Sequence, residues 1–388
     1  MKVQKLGPMR VLVLLMGVCG LMFIFPFHAI AEKAITIGAV QPLTGWAALG
    51  GKNVESGMKI AVDKINAAGG ILGRPLDLIV EDGKADPVES VKAVEKLIHR
   101  DRVRGIVGCW ASSATLAAMP IVKRNEIPMV VSTSTAPMIT DKKNKWTFRF
   151  TSSNDVDGAL MAKYLVPKLG FKKAAYLAVN NDWGRSMAKS VTKIMKETGG
   201  EVTMVEYCSG AEANFTPMLT RIKNTDVDTL FITTSLSGIM LIMKQYHELG
   251  MNMNVFITSG MSAERLIQMV GKENTEGTYF FARYVPTAPP PGKEVENEEM
   301  IKAYNKIYPK DIADTGVALG YDAIHILAGA IQRAGAPDPD KIRAALEKTD
   351  YFGITGKVHF DKNGHSQPRC SITQIRNGVN TVVYVLNE

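Results

Sequence analysis

The chain has 388 residues, of which 46% are hydrophobic and 22% are charged, and its formal net charge is +8. Because a chain of this length is too long for one ordinary domain with a single hydrophobic core, we predict two domains. The basic residues are spread along the sequence without a basic block, which argues against binding to nucleic acid.

Residues 1–31 have the pattern of a secretory signal peptide. A basic start precedes an apolar run from Val11 to Phe25, and Ala29-Ile30-Ala31 matches a cleavage site. The run is shorter than the about 20 apolar residues of a membrane span. We therefore expect cleavage after Ala31 and a periplasmic protein. Cys19 suggests lipidation as an alternative, but Val18 precedes it where a small residue is expected.

Three cysteines remain in the expected mature chain, namely Cys109, Cys208 and Cys370. An exported protein can form a disulfide, and we expect Cys208 with Cys370 if one forms, because both fall in the second lobe assigned below. The cysteines are widely spaced and the six histidines form no His-x-x-x-His pair. We therefore expect no bound metal.

Strand and helix patterns alternate from residue 34 to residue 150. Strands are predicted at 34–40, 76–81, 106–108 and 128–131, and helices are predicted to begin at 54, 86 and 113. Lys52 and the glycines before it resemble a phosphate-binding loop, but Asn53 stands where Ser or Thr must hold magnesium. We expect no nucleotide or other cofactor. The alternation predicts a parallel, doubly wound sheet.

The same alternation restarts after Phe150. The predicted strands are 174–179, 202–207, 228–233 and 255–258, and the predicted helices are 155–169, 215–223 and 238–249, with a further helix after Gly184. Two successive α/β runs of similar size imply two similar lobes.

The last third is less regular and returns to the first lobe. Its predicted strands are 278–282, 356–360, 370–376 and 381–386, and its predicted helices are 295–307, 315–334 and 338–348. We expect these helices to pack on the first lobe, so that the chain crosses between lobes near Phe150, Phe280 and Val358. The predicted fold is α/β, with two doubly wound Rossmann-like lobes and a three-crossing hinge. Lobe 1 comprises residues 32–150 and 281–357, and lobe 2 comprises 151–280 and 358–388.

Hydroxyl residues gather where two neighbouring strands of the first lobe end. Ser112 and Ser113 open a helix after one strand, and the run Ser132–Thr135 follows the next. The carboxyl ends of parallel strands share one sheet edge, where ligands of open α/β sheets bind. The free N–H groups at a helix start suit a carboxylate, and Trp110 adds an apolar wall. Each feature alone is also explained by helix capping or a strand end, but together they favour a binding site.

Several motifs resemble type I periplasmic solute-binding proteins of the branched-chain amino acid group. They are Gly38-Ala39-Val40-Gln41-Pro42-Leu43-Thr44-Gly45, Ile65-Asn66-Ala67-Ala68-Gly69-Gly70-Ile71-Leu72-Gly73, Glu81-Asp82 before Asp86-Pro87, Ser112-Ser113, Thr135-Ala136-Pro137 and Asn181-Asp182-Trp183-Gly184. The resemblance covers essentially the whole expected mature chain. It implies two lobes that close around a small solute, and handover of that solute to membrane ABC permease subunits.

The resemblance also implies a set of ligand-binding residues. Ser112, Thr135 and the backbone at Thr133 correspond to the family's carboxylate site. Trp110 and Ala111 correspond to its side-chain pocket, and Trp183 to an aromatic residue from lobe 2. The complete predicted set is Trp46, Trp110, Ala111, Ser112, Ser113, Thr133, Ser134, Thr135, Asp182, Trp183, Gly260 and Phe281.

One departure from the family leaves two classes of solute open. Gly260 stands where the family has an acid that pairs with the ligand's ammonium, and Glu264 follows four residues later. A buried ammonium without a counter-ion costs several kcal/mol. If the solute is a branched-chain or other hydrophobic amino acid, Asp182 is the substitute we expect. The alternative is an aromatic or aliphatic carboxylate without an amine. The family's disulfide beside the cleft is also missing, because Ala85 replaces one partner.

We expect a monomeric binding protein and not an enzyme. No histidine neighbours Ser112, and the sequence contains no Gly-x-Ser-x-Gly motif or metal-ligand set. A ligand-sensing receptor is a second alternative, since the same fold can serve it. A membrane-anchored signalling segment would favour that reading, and the sequence shows none. Trp46 and Trp183 could also serve only to pack the lobes together.

Overall fold

The computed structural model describes residues 33–387, except 142, 143 and 261. The predicted signal peptide and Cys19 lie outside the described residues. In the part of the chain that the structure describes, no helix is long and apolar enough to cross a membrane.

The described chain alternates strands and helices as the sequence predicts. The strands are β1 Ile35–Gln41, β2 Leu76–Asp82, β3 Ile106–Val107, β4 Met129–Val131, β5 Thr147–Arg149, β6 Lys173–Val179, β7 Glu201–Cys208, β8 Thr229–Thr233, β9 Asn254–Ile257, β10 Tyr279–Ala282, β11 Asp350–Gly353, β12 Gly356–His359, β13 Cys370–Arg376 and β14 Val379–Asn387. The helices are α1 Ala48–Ala67, α2 Pro87–His99, α3 Ser112–Arg124, α4 Met138–Asp141, α5 Asn154–Ala162, α6 Asp182–Glu197, α7 Thr216–Lys223, α8 Leu236–Glu248, α9 Ala263–Val270, α10 Glu294–Ile307, α11 Thr315–Ala334 and α12 Pro339–Leu346.

The sheet of lobe 1 is parallel, with the strand order β2-β1-β3-β4-β5. Residues of α1, α11 and α12 form the apolar core on one face, and residues of α2 and α3 form it on the other. Because the chain winds outward in both directions from β1, the gap between β1 and β3 is a topological switch point. Ligands of such sheets bind at the carboxyl ends of the strands there.

The sheet of lobe 2 has the order β14-β13-β10-β9-β8-β6-β7. Strands β6 to β10 are parallel, whereas β13 and β14 are antiparallel to their neighbours. Apolar cores cover both faces of this sheet as well. Strands β11 and β12 form a separate antiparallel hairpin. Its residues Ile354 and Val358 are buried in the core of lobe 1 and attach the hairpin to that lobe.

Two of the three crossings between the lobes fall later in the chain than we predicted. The second was expected near Phe280, but β10 continues in the sheet of lobe 2 to Ala282, which pairs with Ser371 of β13. The third was expected near Val358, but this residue and Phe360 are buried in the core of lobe 1. The backbone of Arg149 then binds Gly364 and Ser366 through N–H···O bonds of 2.7 and 3.0 Å. The chain therefore stays with lobe 1 through Ser366.

The expected disulfide between Cys208 and Cys370 is not formed. Cys208 ends β7 and Cys370 begins β13, and four strands separate β7 from β13 in the sheet. At a spacing of about 4.8 Å per strand, the two residues are roughly 24 Å apart. A disulfide requires Cα atoms within about 7 Å of each other, so the pair cannot form in this fold.

Candidate functional site

A cavity lies between the two lobes and encloses about 780 Å³ of space, part of it open to solvent. Lobe 1 lines it with Gly50, Asn53, Trp110, Ala111, Ser112, Thr133, Ser134, Thr135, Asp314, Thr315, Gly316 and Leu319. Lobe 2 and the crossings line it with Thr151, Asn181, Trp183, Thr234, Ser235, Leu236, Ser259, Gly260 and Arg283. The cavity therefore meets the carboxyl ends of strands from both sheets.

The first turn of α3 opens directly onto the cavity. We expected Ser112 or Ser113 to cap this helix, but the cap residue is Ala111, which has no side chain to bond the first turn. The Ser112 hydroxyl instead accepts a hydrogen bond from the backbone N–H of Ala136, at 3.2 Å. The N–H groups of the first turn are thus left for a ligand, and the Ser112 hydroxyl retains its own proton to donate.

The hydroxyl run after β4 divides into structural and open groups. Thr133 Oγ1 donates to the carbonyl of Trp110 at 2.9 Å, and Ser134 Oγ donates to that of Cys109 at 2.7 Å. These two bonds tie the loop after β4 to the loop after β3. In contrast, the hydroxyl of Thr135 is buried and has no hydrogen-bond partner among the residues that the structure describes. Thr151 also lines the cavity, and its hydroxyl is likewise buried without a hydrogen-bond partner among the described residues.

Lobe 2 contributes more helix starts and an apolar wall. Asn181 caps α6 by accepting from the N–H of Gly184 at 3.0 Å, and Ser235 caps α8 through Gly238 at 3.1 Å. The next residues along these helices include Trp183 and Leu236, which face the cavity with Trp110 and Leu319 of lobe 1. The walls are thus largely apolar, while the hydrogen-bonding groups are concentrated at strand ends and helix starts.

Both charged groups of the lining already have partners of opposite charge. Arg283 pairs with the buried carboxylate of Asp157, and its Nε is 3.4 Å from Ser152 Oγ. Burial raises the pKa of Asp157, although Arg283 acts in the opposite direction. Asp314 pairs with Arg265 of lobe 2, from Nε to Oδ2 at 3.0 Å.

Asp314 has no oxygen left without a bond. Its Oδ2 also accepts from Asn53 Nδ2 at 2.7 Å, and its Oδ1 accepts from the N–H of Gly316 at 2.9 Å. Burial raises the pKa of Asp314, against the lowering effect of Arg265. The carboxylate is therefore committed to the protein's own donors.

The structure brings eight of the twelve predicted residues to the cavity: Trp110, Ala111, Ser112, Thr133, Ser134, Thr135, Trp183 and Gly260. A side chain at Gly260 would meet open space, because no described residue other than its chain neighbour has an atom within 4 Å of the added Cβ. The position that corresponds to the family's acid is therefore part of the cavity wall.

Asp182 and Phe281 do not line the cavity. Asp182 faces solvent in the first turn of α6, where its side chain is 41% exposed and lies 3.3 Å from Arg185. Phe281 points into the core of lobe 2 from β10, with the Arg283 guanidinium 5.1 Å from its ring centre. The expectation that Asp182 neutralises a ligand's amine is therefore wrong, because Asp182 does not line the cavity.

Trp46 and Ser113 also lie outside the lining. Trp46 packs edge-on against Trp110, with ring centres 5.9 Å apart, and its ring is close to Gly210 of lobe 2. This placement fits the packing role that we considered for Trp46. Ser113 is one helix position beyond Ser112 and does not line the cavity.

Sequence reasoning missed several lining residues. Thr234 and Ser235 follow β8 as a hydroxyl pair, which is the same signal that identified the run after β4. Asn53, Thr151, Arg283 and Asp314 lie in a helix, at two crossings and at the cap of α11. Their positions have no comparable sequence signal, because they reach the cavity only when the lobes are assembled.

A family model described as periplasmic binding protein matches residues 34–379 of the chain. The chain belongs to the periplasmic binding protein family, whose members bind solutes for transport. This membership confirms the predicted family.

Within the family, the chain is similar to proteins of the branched-chain amino acid group. The leucine-, isoleucine-, valine-, threonine-, and alanine-binding protein of Pseudomonas aeruginosa is 26% identical over 340 residues, which are 88% of this chain and 89% of that protein. The crystal structure of the leucine binding protein LivK of Thermotoga maritima has a TM-score of 0.81 and 27% identity, and the match covers 91% of this chain and 99% of that one. LivJ of Streptococcus pneumoniae, in complex with isoleucine, has a TM-score of 0.81 and 26% identity over 90% of this chain and 99% of that one. These similarities confirm the predicted two-lobed fold.

Proposed function

We propose that this protein captures a small hydrophobic carboxylate-bearing solute between its lobes in the periplasm and delivers it to an ABC permease. It acts by binding and not by catalysis. Membership of the periplasmic binding protein family supports the transport role. The geometry of the cavity supports the chemistry of the solute.

One observation carries the carboxylate assignment, namely the open first turn of α3 beside unpartnered hydroxyls. The helix start supplies N–H groups and a positive dipole end, and Thr135 supplies a buried hydroxyl that has no partner in the described part of the chain. A carboxylate offers the acceptors that this set lacks. Around it, the indole rings of Trp110 and Trp183 and the side chain of Leu236 suit an apolar remainder.

A branched-chain or other hydrophobic amino acid is the solute that the relatives favour. The Pseudomonas aeruginosa protein is named for leucine, isoleucine, valine, threonine and alanine, and the Streptococcus pneumoniae structure holds isoleucine. Both proteins match this chain over most of its length.

A carboxylate without an amine is the second candidate, and the charges of the lining favour it. Gly260 provides no acid, and Asp182 is turned to solvent. The oxygens of Asp314 are occupied by Asn53, Arg265 and the N–H of Gly316. An ammonium in this cavity would have to share Asp314 with these donors, whereas an amine-free acid requires no counter-ion.

The direct test is to identify the molecule that co-purifies with the protein from the periplasm. Denaturation followed by mass spectrometry should release a low-mass hydrophobic acid, and the presence or absence of nitrogen would separate the two candidates. Release of a sugar, a polyamine or a nucleotide would overturn the assignment.

The intact mass of the same preparation should correspond to a chain that begins at Glu32. Retained Met1 or an acylated Cys19 would contradict the proposed export route.

A further inference from the structure

Helix α9 of lobe 2 reaches across the cleft through one arginine. Arg265 Nε lies 3.0 Å from Asp314 Oδ2, and its Nη1 lies 2.9 Å from Asp311 Oδ1. Its Nη2 donates to the carbonyl of Ile312 at 2.5 Å. All three partners belong to the loop between α10 and α11, in lobe 1. A single guanidinium thus uses each of its nitrogens to bind the opposite lobe.

Each side of this contact is fixed to its own lobe. Ala263 and Leu266 of α9 are buried in the core of lobe 2, and Glu264 accepts from Asn380 of β14 at 3.1 Å. On the other side, Asn53 and Tyr304 of lobe 1 bind Asp314 and Asp311 at 2.7 Å each. Rotation of the lobes away from each other must therefore separate Arg265 from its carboxylates.

The contact is buried where the lobes meet. The side chain of Arg265 is 4% exposed and that of Asp314 is 1% exposed. Gln268, one turn further along α9, donates to the carbonyl of Lys310 at 2.7 Å and extends the contact. Opening of the lobes would return both charges to water. Burial of an ion pair favours the closed form only when its remaining hydrogen bonds are made, and here every guanidinium nitrogen of Arg265 and both oxygens of Asp314 are bonded.

Asp314 links this contact to the solute cavity. Its carboxylate caps α11 by accepting from Gly316, and Asp314, Thr315 and Gly316 all line the cavity. A shift of Asp314 would thus move the start of α11 and the adjacent wall.

We propose that Arg265 is a latch between the lobes, which stabilises the closed form and positions Asp314 and the start of α11 against the bound solute. The latch rests on the proposed function, because it takes closure of the lobes to be the step that retains the solute. Arg265 acts through Asp314 and is a positioning residue, since it does not itself line the cavity.

The test measures the distance between the lobes by electron paramagnetic resonance. The spin labels are attached to cysteines that replace Lys244 in α8 and Lys302 in α10. These side chains are 72% and 69% exposed and lie in different lobes. In the protein without solute, we expect Arg265→Gln to shift the distance distribution toward the longer, open distances. With L-isoleucine as the probe, we expect its dissociation to become roughly tenfold faster or more, since loss of one partner of a buried charge pair acts mainly on dissociation.

The matched control is Arg221→Gln. Arg221 pairs with Glu206 at 2.7 and 2.9 Å within lobe 2, so its loss should change neither the distances nor the dissociation rate. Asp311→Asn is the milder variant in case Arg265→Gln does not fold, because the Asp311 side chain is 31% exposed. It should produce a smaller shift in the same direction.

Unchanged distances in both Arg265→Gln and Asp311→Asn would overturn the latch. So would an equal shift in Arg221→Gln. If L-isoleucine does not bind the wild-type protein, the proposal of an amino-acid solute fails, but the distances in the protein without solute still decide the latch.

Discussion

At the scale of single residues, the cavity is marked by hydroxyl groups whose hydrogen-bonding capacity is unused. Thr135 and Thr151 are 2% and 0% exposed, and neither hydroxyl has a partner in residues 33–387 as far as the structure describes them. A buried polar group without a partner costs about 1–3 kcal/mol. A solute that supplies acceptors to these hydroxyls removes that cost on binding. The unpartnered hydroxyls thus destabilise the protein without solute and increase its affinity for a solute that accepts their hydrogen bonds.

We expect Thr135→Val to weaken solute binding by roughly tenfold or more, since a hydrogen bond to a charged group contributes about 1.5–3 kcal/mol. Calorimetry with the co-purified acid measures the effect. Thr147→Val is the matched control, because its hydroxyl is also buried and unpartnered but lies outside the cavity. Equal affinities in the two variants would remove Thr135 from the carboxylate site.

Asp182→Asn should leave the affinity for every hydrophobic acid unchanged. The side chain is 41% exposed, pairs with Arg185 and does not line the cavity. The same calorimetric titrations with leucine and benzoate check this expectation. A large loss for leucine alone would show that Asp182 acts on the amine after all.

At the scale of the elements, the position of the site depends on close packing of α1 against α11. A Cβ at Gly57 of α1 would lie 1.9 Å from the carbonyl oxygen of Val317, and one at Gly320 of α11 would lie 2.0 Å from that of Val54. Real Cβ atoms do not approach backbone oxygens this closely. The two helices can therefore pack at this distance only because glycine occupies both positions. This packing holds the start of α11, with Asp314 and Gly316, at the cavity.

Gly320→Ala should lower the free energy of unfolding by about 1–3 kcal/mol, because the added methyl forces the helices apart. Gly329→Ala in the same helix is the control, since the nearest atom to its Cβ is the flexible end of Arg333, at 3.3 Å. That change should be neutral or stabilising by up to about 1 kcal/mol, as expected for alanine in a helix interior. Urea unfolding of both variants measures the difference. Similar values for both would contradict the proposed close contact.

The periodicity of apolar residues predicted most of the helices and strands. It was wrong where tertiary contacts determine the bounds or the existence of an element. We expected α1 to begin at residue 54, and it begins at Ala48. Its first turn contains Gly50 and Gly51, which discourage a helix prediction. Gly51 is required there, because a Cβ would lie 2.0 Å from the carbonyl oxygen of Pro42. Strand β11 was missed because it pairs only with β12, in a hairpin where Phe352 remains 44% exposed.

The candidate site was predictable only in part, for a related reason. Ser112 and Thr135 follow strands that are adjacent in the sheet, so local pattern and topology together place them. Arg283 and Asp314 reach the cavity through a crossing and through a helix that returns from late in the chain. No spacing along the sequence encodes that approach.

At the scale of the whole molecule, burial of ionisable groups makes stability depend on pH. His365 lies beside Arg149 near the third crossing, and burial, aided by the Arg149 charge, lowers its pKa from 6.5 to about 4. His325 in α11 is lowered to about 4 as well, again mainly by burial. Between pH 6.5 and 4 the unfolded chain therefore binds more protons at these sites than the folded protein. Their contribution to stability is complete above pH 6.5 and is lost as the pH falls through 4.

We expect His365→Gln to reduce the slope of unfolding free energy against pH in this window. The full shift corresponds to about 3 kcal/mol, at 1.36 kcal/mol per pKa unit. Urea unfolding at several pH values between 4 and 7 measures the slope. His99→Gln, at an exposed position in α2, is the control. A slope as steep as that of the wild type would show that His365 is not held neutral in the folded state.

Closure of the lobes should depend on aromatic contact from lobe 2. Trp183 lines the cavity and packs against the core of lobe 2, whereas Trp46 contacts the opposite lobe outside the lining. We expect the solute to make the particle more compact in small-angle scattering, and Trp183→Ala to weaken binding and reduce this compaction without loss of the fold. Unchanged affinity and compaction would assign Trp183 to packing alone.

The requirement for a carboxylate is the central claim, and calorimetric titration of the wild-type protein with matched compounds tests it most directly. Leucine carries both a carboxylate and an amine, 4-methylpentanoate and benzoate carry only the carboxylate, and leucinamide carries only the amine. We predict that at least one of the three acids binds and that leucinamide does not, because an amide offers the first turn of α3 and the Thr135 hydroxyl no negative charge. Tight binding of leucinamide, or failure of all three acids to bind, would contradict a carboxylate site between the lobes.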